Sequence, residues 1–317
     1  MGEPTFQKAT SHRSRRGCRG IAAVAAVALV FSVAGCGDDS DDAGSDETTT
    51  TTTEAVAAEP TVAAATLTDE AIEGLPEEIP AGLVEVTVTD DTTDGGAGGD
   101  LSIMKVAEGT TEEDFVAGLL PVFEGGPIPD LIENSAGVIN EGTIVLEEGS
   151  YIAWIDKSSM LDREGTADDI ITTPLTVGPG ETDAALPDAD GTITATDYAF
   201  DVDVPAGQAT INFANDSTEQ FHHVILVDFG TNDPALIEEN LGAILESEDG
   251  SVPEGVDGEQ IDFEAGGSSV FGPGSSGSFS AELTEGNTYA ALCFISDVAG
   301  GAPHAIQHDM HEVFTAS

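Results

Sequence analysis

Val204-Pro205-Ala206-Gly207-Gln208-Ala209-Thr210-Ile211-Asn212-Phe213-Ala214-Asn215-Asp216 decides how this 317-residue chain is read, because an earlier stretch has the same form. Ile79-Pro80-Ala81-Gly82-Leu83-Val84-Glu85-Val86-Thr87-Val88-Thr89-Asp90-Asp91 carries the same Pro-Ala-Gly turn and then the same alternation of apolar and polar residues. Three further blocks recur in the same order. Ile103 to Leu119 answers Val224 to Leu241, Leu146–Trp154 answers Leu283–Leu292, and Leu175-Thr176-Val177 answers Phe314-Thr315-Ala316. Four blocks in register indicate a repeated unit of roughly 110–130 residues, the usual size of a domain with one core.

Within each unit the period is mostly two. Ala209-Thr210-Ile211-Asn212-Phe213 alternates as a half-buried strand does, and Val224–Asp228, Ser278–Leu283, Tyr289–Phe294 and Glu312–Thr315 read as further strands. One segment has a helical period instead. Asp233 is placed to cap it, Pro234 occupies its first position, and Leu236, Ile237, Leu241, Ile244 and Leu245 form its apolar stripe. Many short strands, abundant Gly turns and one helix per unit predict a mainly β protein of two tandem Greek-key β-sandwiches, each with one helix insertion.

The N-terminus reads as an export signal. Arg13, Arg15, Arg16 and Arg19 precede an apolar run from Ile21 to Val33 that is too short for a membrane span. The run ends in Val33-Ala34-Gly35-Cys36, which resembles a bacterial lipobox. Residues 1–36 are therefore expected to be a lipoprotein signal peptide, with Cys36 lipidated and holding the protein to the cell membrane on its extracytoplasmic side. A plain secretory signal is the alternative. Residues 37–66, rich in Asp, Gly and Thr with six consecutive threonines at 48–53, are expected to be a disordered tether. Residues 67–185 and 186–317 are the two expected sandwich domains.

The formal net charge is −52. Only Lys105, Lys157 and Arg163 are basic beyond Cys36, against all the acidic residues except Glu3. So acidic a chain excludes nucleic acid and anionic lipid headgroups as direct partners. It suits a cationic redox partner or a saline habitat.

The chemistry concentrates in the second unit. All five histidines beyond Cys36 lie there (His222, His223, His304, His308 and His311), as does the one remaining thiol, Cys293. A single thiol outside the cytoplasm has no disulfide partner within its own chain and needs burial, a metal or a catalytic role to survive oxidation. Thiolate, thioether and imidazole on neighbouring strands form a donor set for copper.

The second unit resembles the cupredoxins, the family of plastocyanin and azurin. Asn215 followed by Phe221-His222-His223-Val224-Ile225-Leu226 is similar to the strand carrying that family's first histidine ligand. Tyr289-Ala290-Ala291-Leu292-Cys293 is similar to the strand ending in the ligating cysteine, and Met310-His311-Glu312-Val313-Phe314-Thr315-Ala316 to the axial methionine and closing strand. The resemblance implies a copper ion on His222, Cys293, His304 and Met310, with outer-sphere electron transfer rather than catalysis. His223 would face the opposite side of its strand. One departure is the ten-residue interval between Cys293 and His304, which either folds back over the site or leaves it unmade. His304 is preferred to His308 because five residues separate it from Met310, close to the family's spacing. The first unit has Leu101 and Ile155 as the expected counterparts of His222 and Cys293 and is read as metal-free. Two other readings stay open: a metal-free binding or structural lipoprotein, and a copper storage or delivery protein.

Overall fold

The computed structural model describes residues 59–159, 165–181, 184–247 and 251–317. The expected signal peptide, Cys36 and most of the expected tether lie outside these residues. Among the described residues no helix is long and apolar enough to cross a membrane.

The chain folds into two β-sandwiches in tandem. The first is built from β1 (Thr61–Leu67), β2 (Ile72–Glu73), β3 (Glu78–Pro80), β4 (Gly82–Asp90), β5 (Asp100–Val106), helix α1 (Glu112–Phe123), β6 (Ile132–Ile139), β7 (Glu141–Leu146), β8 (Gly149–Asp156) and β9 (Ile170–Gly178). The second contains β10 (Gly191–Ala195), β11 (Phe200–Asp203), β12 (Gly207–Asn215), β13 (Ile225–Asp228), helix α2 (Pro234–Leu245), β14 (Asp262–Gly267), β15 (Ser276–Leu283), β16 (Thr288–Leu292), the one-turn helix α3 (His304–Gln307) and β17 (His311–Thr315). One eight-stranded sheet runs through both, in the order β11-β10-β12-β15-β7-β4-β1-β2. The opposing sheets are β3-β9-β8-β5-β6 in the first sandwich and β14-β13-β16-β17 in the second.

Strand β1 begins inside the stretch expected to be tether. It pairs in parallel with β4 over its whole length, from Thr61 opposite Val84 to Leu67 opposite Asp90, and turns Ala63, Ala65 and Leu67 inward. Its inward residues are mostly alanine, so the alternation carries little hydrophobic contrast in sequence.

The shared sheet is joined where β15 meets β7, with Gly277 opposite Ile144 and the Thr143 amide donating to Ser278 Oγ at 2.9 Å. Glycine is required there because backbones and rings crowd. A Cβ at Gly142 would stand 2.2 Å from the Ser278 carbonyl oxygen, and one at Gly277 would stand 2.5 Å from the Phe271 ring.

In the second sandwich the sheets enclose Ile211, Phe213, Leu226, Phe271, Phe279 and Tyr289. Strand β16 is buried on both faces. Tyr289 and Ala291 point between the sheets, whereas Ala290 and Leu292 meet Ile237 and Leu241 of α2. That helix is capped as expected, with the Asp233 side chain accepting from the Ala235 amide at 2.9 Å and Pro234 opening the first turn.

The outer face of β5 and β8 is covered jointly by α1 and by the second sandwich. Met104, Ile152 and Trp154 contact Phe115 and Leu119, and Phe221 closes the same cluster from across the junction. Backbone hydrogen bonds stitch this contact: Gly272 N to Ser135 O, Ile128 N to Val298 O and Gly301 N to Gly125 O, at 2.9–3.0 Å.

Asp100 is a polar group at this junction. The residue is half-buried, yet its Oδ1 is enclosed with no hydrogen-bond partner among the described residues. Burial pushes its pKa up to about 6, only partly opposed by the Ser269 hydroxyl. The folded chain thus holds this proton more tightly than the unfolded one, so stability falls as pH rises from about 4 to about 6 and is level above. Asp100→Asn is expected to stabilise the protein at pH 7 by up to about 3 kcal/mol, at 1.36 kcal/mol per pKa unit, and to change nothing near pH 4. Denaturant unfolding at the two pH values reads this directly; equal gains at both would refute it.

Candidate metal centre

Strand parity decides which side chains enter the space between the sheets. Val224 and Leu226 face the interior, so His222, two residues before Val224, faces it too. Cys293 follows Leu292 at the end of β16 on the side of Tyr289 and Ala291. His304 opens α3, directly after Pro303. All three are fully buried, at 0 % exposure.

Their donor atoms converge. Cys293 Sγ lies 3.5 Å from His222 Nδ1 and 3.5 Å from His304 Nδ1, and the two Nδ1 atoms are 3.2 Å apart. The point equidistant from the three atoms is about 2 Å from each. For scale, zinc bonds run ~2.0–2.1 Å to imidazole and ~2.3 Å to thiolate. This buried His222–Cys293–His304 group can therefore hold a metal ion, and two imidazoles with one thiolate suit copper. Among the described residues it is the group of three or more such donors that comes together in this way.

Burial also sets the protonation states. It drives the pKa of His222 down to about 3, helped by the neighbouring His304 and His223, and lowers that of His304. Both rings are neutral near pH 7, with lone pairs free for a cation. The same burial pushes the Cys293 thiol up to about 11, opposed by the backbone amides of His223 and Ile295 that donate to its sulfur. A metal must therefore displace a proton from Cys293 on binding.

Met310 is fully buried in the core cluster that holds Cys293, and its amide donates to the His304 carbonyl at 3.1 Å. His223 points the other way along its strand, where its Nε2 accepts from the Phe294 amide at 2.8 Å and pins the chain just after Cys293. His311 lies outside the cluster, 3.3 Å from Glu238. His308 also remains outside, with its Nε2 3.1 Å from Asp297 Oδ2.

The ten residues between Cys293 and His304 fold back over the site. They place Asp297 3.3 Å from His304 Nε2, while Asp297 accepts from the Tyr198 hydroxyl at 3.0 Å and Gln307 Nε2 at 2.9 Å. Burial raises the Asp297 pKa, but the hydrogen bonds from His308 and Tyr198 outweigh it and hold the carboxyl below its usual range. Tyr198 stacks on His308 with ring centroids 3.8 Å apart, roofing His304. Sequence reading passed over Asp297 and Tyr198, because one acid among 60 and one exposed tyrosine carry no pattern.

Asn215 braces the other histidine. It is fully buried, and its side-chain amide donates to the carbonyls of Gln220 and Phe271 at 2.9 and 2.8 Å. His222 and Phe271 exchange both backbone hydrogen bonds. The first sandwich stands behind both histidine-bearing segments, through Ser135 on the 270–272 stretch and Gly125 and Ile128 on the 298–301 loop.

The first sandwich has no such centre among its described residues. Pairing register corrects one expected correspondence. Ser102 lies opposite Trp154 as Ile225 lies opposite Leu292, so Leu101 matches Val224 and the position of His222 falls at Gly99.

No family model and no curated protein matches this chain. Among solved structures it is similar to reduced auracyanin from Roseiflexus castenholzii, at 25 % identity over 40 % of this chain and 94 % of that one, with a TM-score of 0.24. Auracyanin A from Chloroflexus aurantiacus, described as a blue copper protein, is 23 % identical over 40 % of this chain and 96 % of that one, also at 0.24. The copper nitrite reductase of Nitrosomonas europaea is 11 % identical over 82 % of this chain and 94 % of that one, at 0.21. Likenesses at these TM-scores have no weight of their own; the convergence of three buried donor atoms does.

Proposed function

We propose that this chain is a membrane-anchored, extracytoplasmic cupredoxin-like lipoprotein that binds one copper ion in its C-terminal sandwich and passes electrons without transforming a substrate. The observation that carries this reading is the meeting of His222 Nδ1, His304 Nδ1 and Cys293 Sγ at zero exposure. Bound copper supplies one-electron chemistry. His222 and His304 would hold the ion through neutral imidazoles and Cys293 through its sulfur after losing its proton, with the buried thioether of Met310 as a further soft donor in the same core cluster. The packed sheets hold these donors in one arrangement for both oxidation states, and the 294–303 loop excludes water. Tyr198, 37 % exposed, and His308 form the rim through which His304 meets a partner protein, one whose cationic surface complements this acidic chain.

The repeated blocks and the common strand order favour duplication of one unit, with the metal ligands in the second copy alone. The first copy serves as a buttress for both histidine-bearing segments. Anchoring through lipid on Cys36 rests on the Val33-Ala34-Gly35-Cys36 sequence.

The test is to add Cu(II) to the chain from residue 37 onward and record the visible spectrum beside a metal analysis. An intense thiolate-to-copper band at one equivalent is expected. No stoichiometric binding would sink the redox reading and leave a metal-free binding lipoprotein. Copper bound without that band would favour storage or delivery, a reading that full burial of the three donors already disfavours.

Asp297 is expected to matter to the same site. Asp297 Oδ1 stands 3.3 Å from His304 Nε2, at ion-pair distance without a hydrogen bond, and its charge there favours the tautomer that carries the proton on that nitrogen and leaves Nδ1 free for the metal. Asp297→Asn is therefore expected to weaken copper binding by about 10–100-fold while leaving the thiolate band in place. Competition titration against a chelator measures it, and unchanged affinity would remove Asp297 from the site.

A further inference from the structure

A cleft of about 360 Å³ opens between the sandwiches, within the size range of small-molecule sites and at the kind of junction where they occur. Met104, Phe123 and Trp154 wall it from the first sandwich, and Phe221, Val270 and Phe294 from the second. Among the described residues no charged side chain lines it, although the chain carries 60 acidic residues. A charged molecule entering would lose its hydration with nothing to pair against. Phe123 remains 49 % exposed, its ring 6.1 Å from that of Trp154, so the apolar surface reaches solvent. One wall residue has an unmet requirement: Trp154 Nε1 is buried with no hydrogen-bond partner among the described residues. An indole N–H can only donate, so it calls for an acceptor.

We infer that the cleft binds a small, uncharged, ring-sized apolar molecule bearing one hydrogen-bond acceptor. The walls supply the apolar contact, and the acceptor is assigned to Trp154, a wall residue whose indole N–H has no partner among the described residues. The location gives occupancy a consequence. Each converging donor has a chain neighbour in the wall, Phe221 beside His222, Phe294 beside Cys293 and Pro303 beside His304. A molecule seated there presses on the backbone that sets all three. Binding itself needs no metal; only this second effect rests on the copper reading.

The probes are acetophenone, ethylbenzene of nearly the same shape without the acceptor, and benzoate as the charged analogue. Calorimetry and protein NMR on the metal-free chain from residue 37 are expected to show saturable binding of acetophenone at one equivalent. Ethylbenzene should bind about two- to tenfold more weakly, the range expected of one net hydrogen bond, and benzoate should show no saturable binding. Val270→Trp, which fills the cleft away from the metal ligands, should abolish acetophenone binding. Trp154→Phe should erase the preference for acetophenone over ethylbenzene while the chain keeps its folded NMR spectrum. The inference is overturned if acetophenone fails to saturate, if benzoate binds as well, or if folded Val270→Trp binds like the wild type. With copper loaded, acetophenone should shift the visible band. A shift absent despite saturable binding would refute only the coupling to the metal centre, not the cleft.

Discussion

Cys293→Ser is expected to abolish the thiolate-to-copper absorption of the copper-loaded chain. It should also weaken copper binding by more than the roughly 10–100-fold that loss of a ligand's hydrogen-bonding partner costs. The sulfur is the soft member of a set whose other two members are imidazoles 3.5 Å away. A serine hydroxyl neither sheds its proton at neutral pH nor matches copper's preference for sulfur. The fold should survive, because serine nearly reproduces the cysteine volume and the amides of His223 and Ile295 that reach the sulfur can reach an oxygen. Thermal unfolding of the metal-free variant checks the fold, and chelator competition with the visible spectrum checks the site. Retention of the band would show that Cys293 is no ligand, whatever its distance from the histidines.

Phe271→Ala is expected to cost about 3–5 kcal/mol of stability, the range for removing a buried aromatic. Phe271 is 2 % exposed, its ring lies 5.4 Å from that of Phe213, and it fills the space that Gly277 leaves open beneath the shared sheet. A truncated side chain would leave a void where the sandwiches meet. The loss should also reach the metal centre, because the Phe271 backbone exchanges two hydrogen bonds with His222 and accepts a third from Asn215. Copper affinity should therefore fall together with stability. Phe271→Leu, which refills much of the void, should recover most of both. Denaturant unfolding and chelator competition on the two variants separate the cases. A stability loss with unchanged affinity would show that His222 is held without this bridge.

Much of this was legible in the sequence. Ala209, Ile211 and Phe213 alternate because one face of β12 is buried, and Asp233-Pro234 announces α2 because a cap and a fixed φ belong at a helix start. The concentration of histidines and one thiol in a single unit marked the chemistry. Strand β1 escaped notice because its inward residues are mostly alanines, whose contrast with threonine is slight. The register of the first unit was misread by two residues, at Leu101, since apolar alternation looks the same after a shift of two.

By itself, then, the sequence determined the mainly β class, the tandem sandwiches, the helix in each and the donor types in the second, all of which are local patterns of period, capping and residue chemistry. Only the tertiary structure decided that the sandwiches share a sheet, that the ten residues after Cys293 fold back to bring Asp297 onto His304, and that the first unit backs the histidine-bearing segments. Those contacts join residues as far apart as Gly125 and Gly301. They depend on which surfaces meet once the strands are stacked, and no local pattern encodes the partner across such a distance.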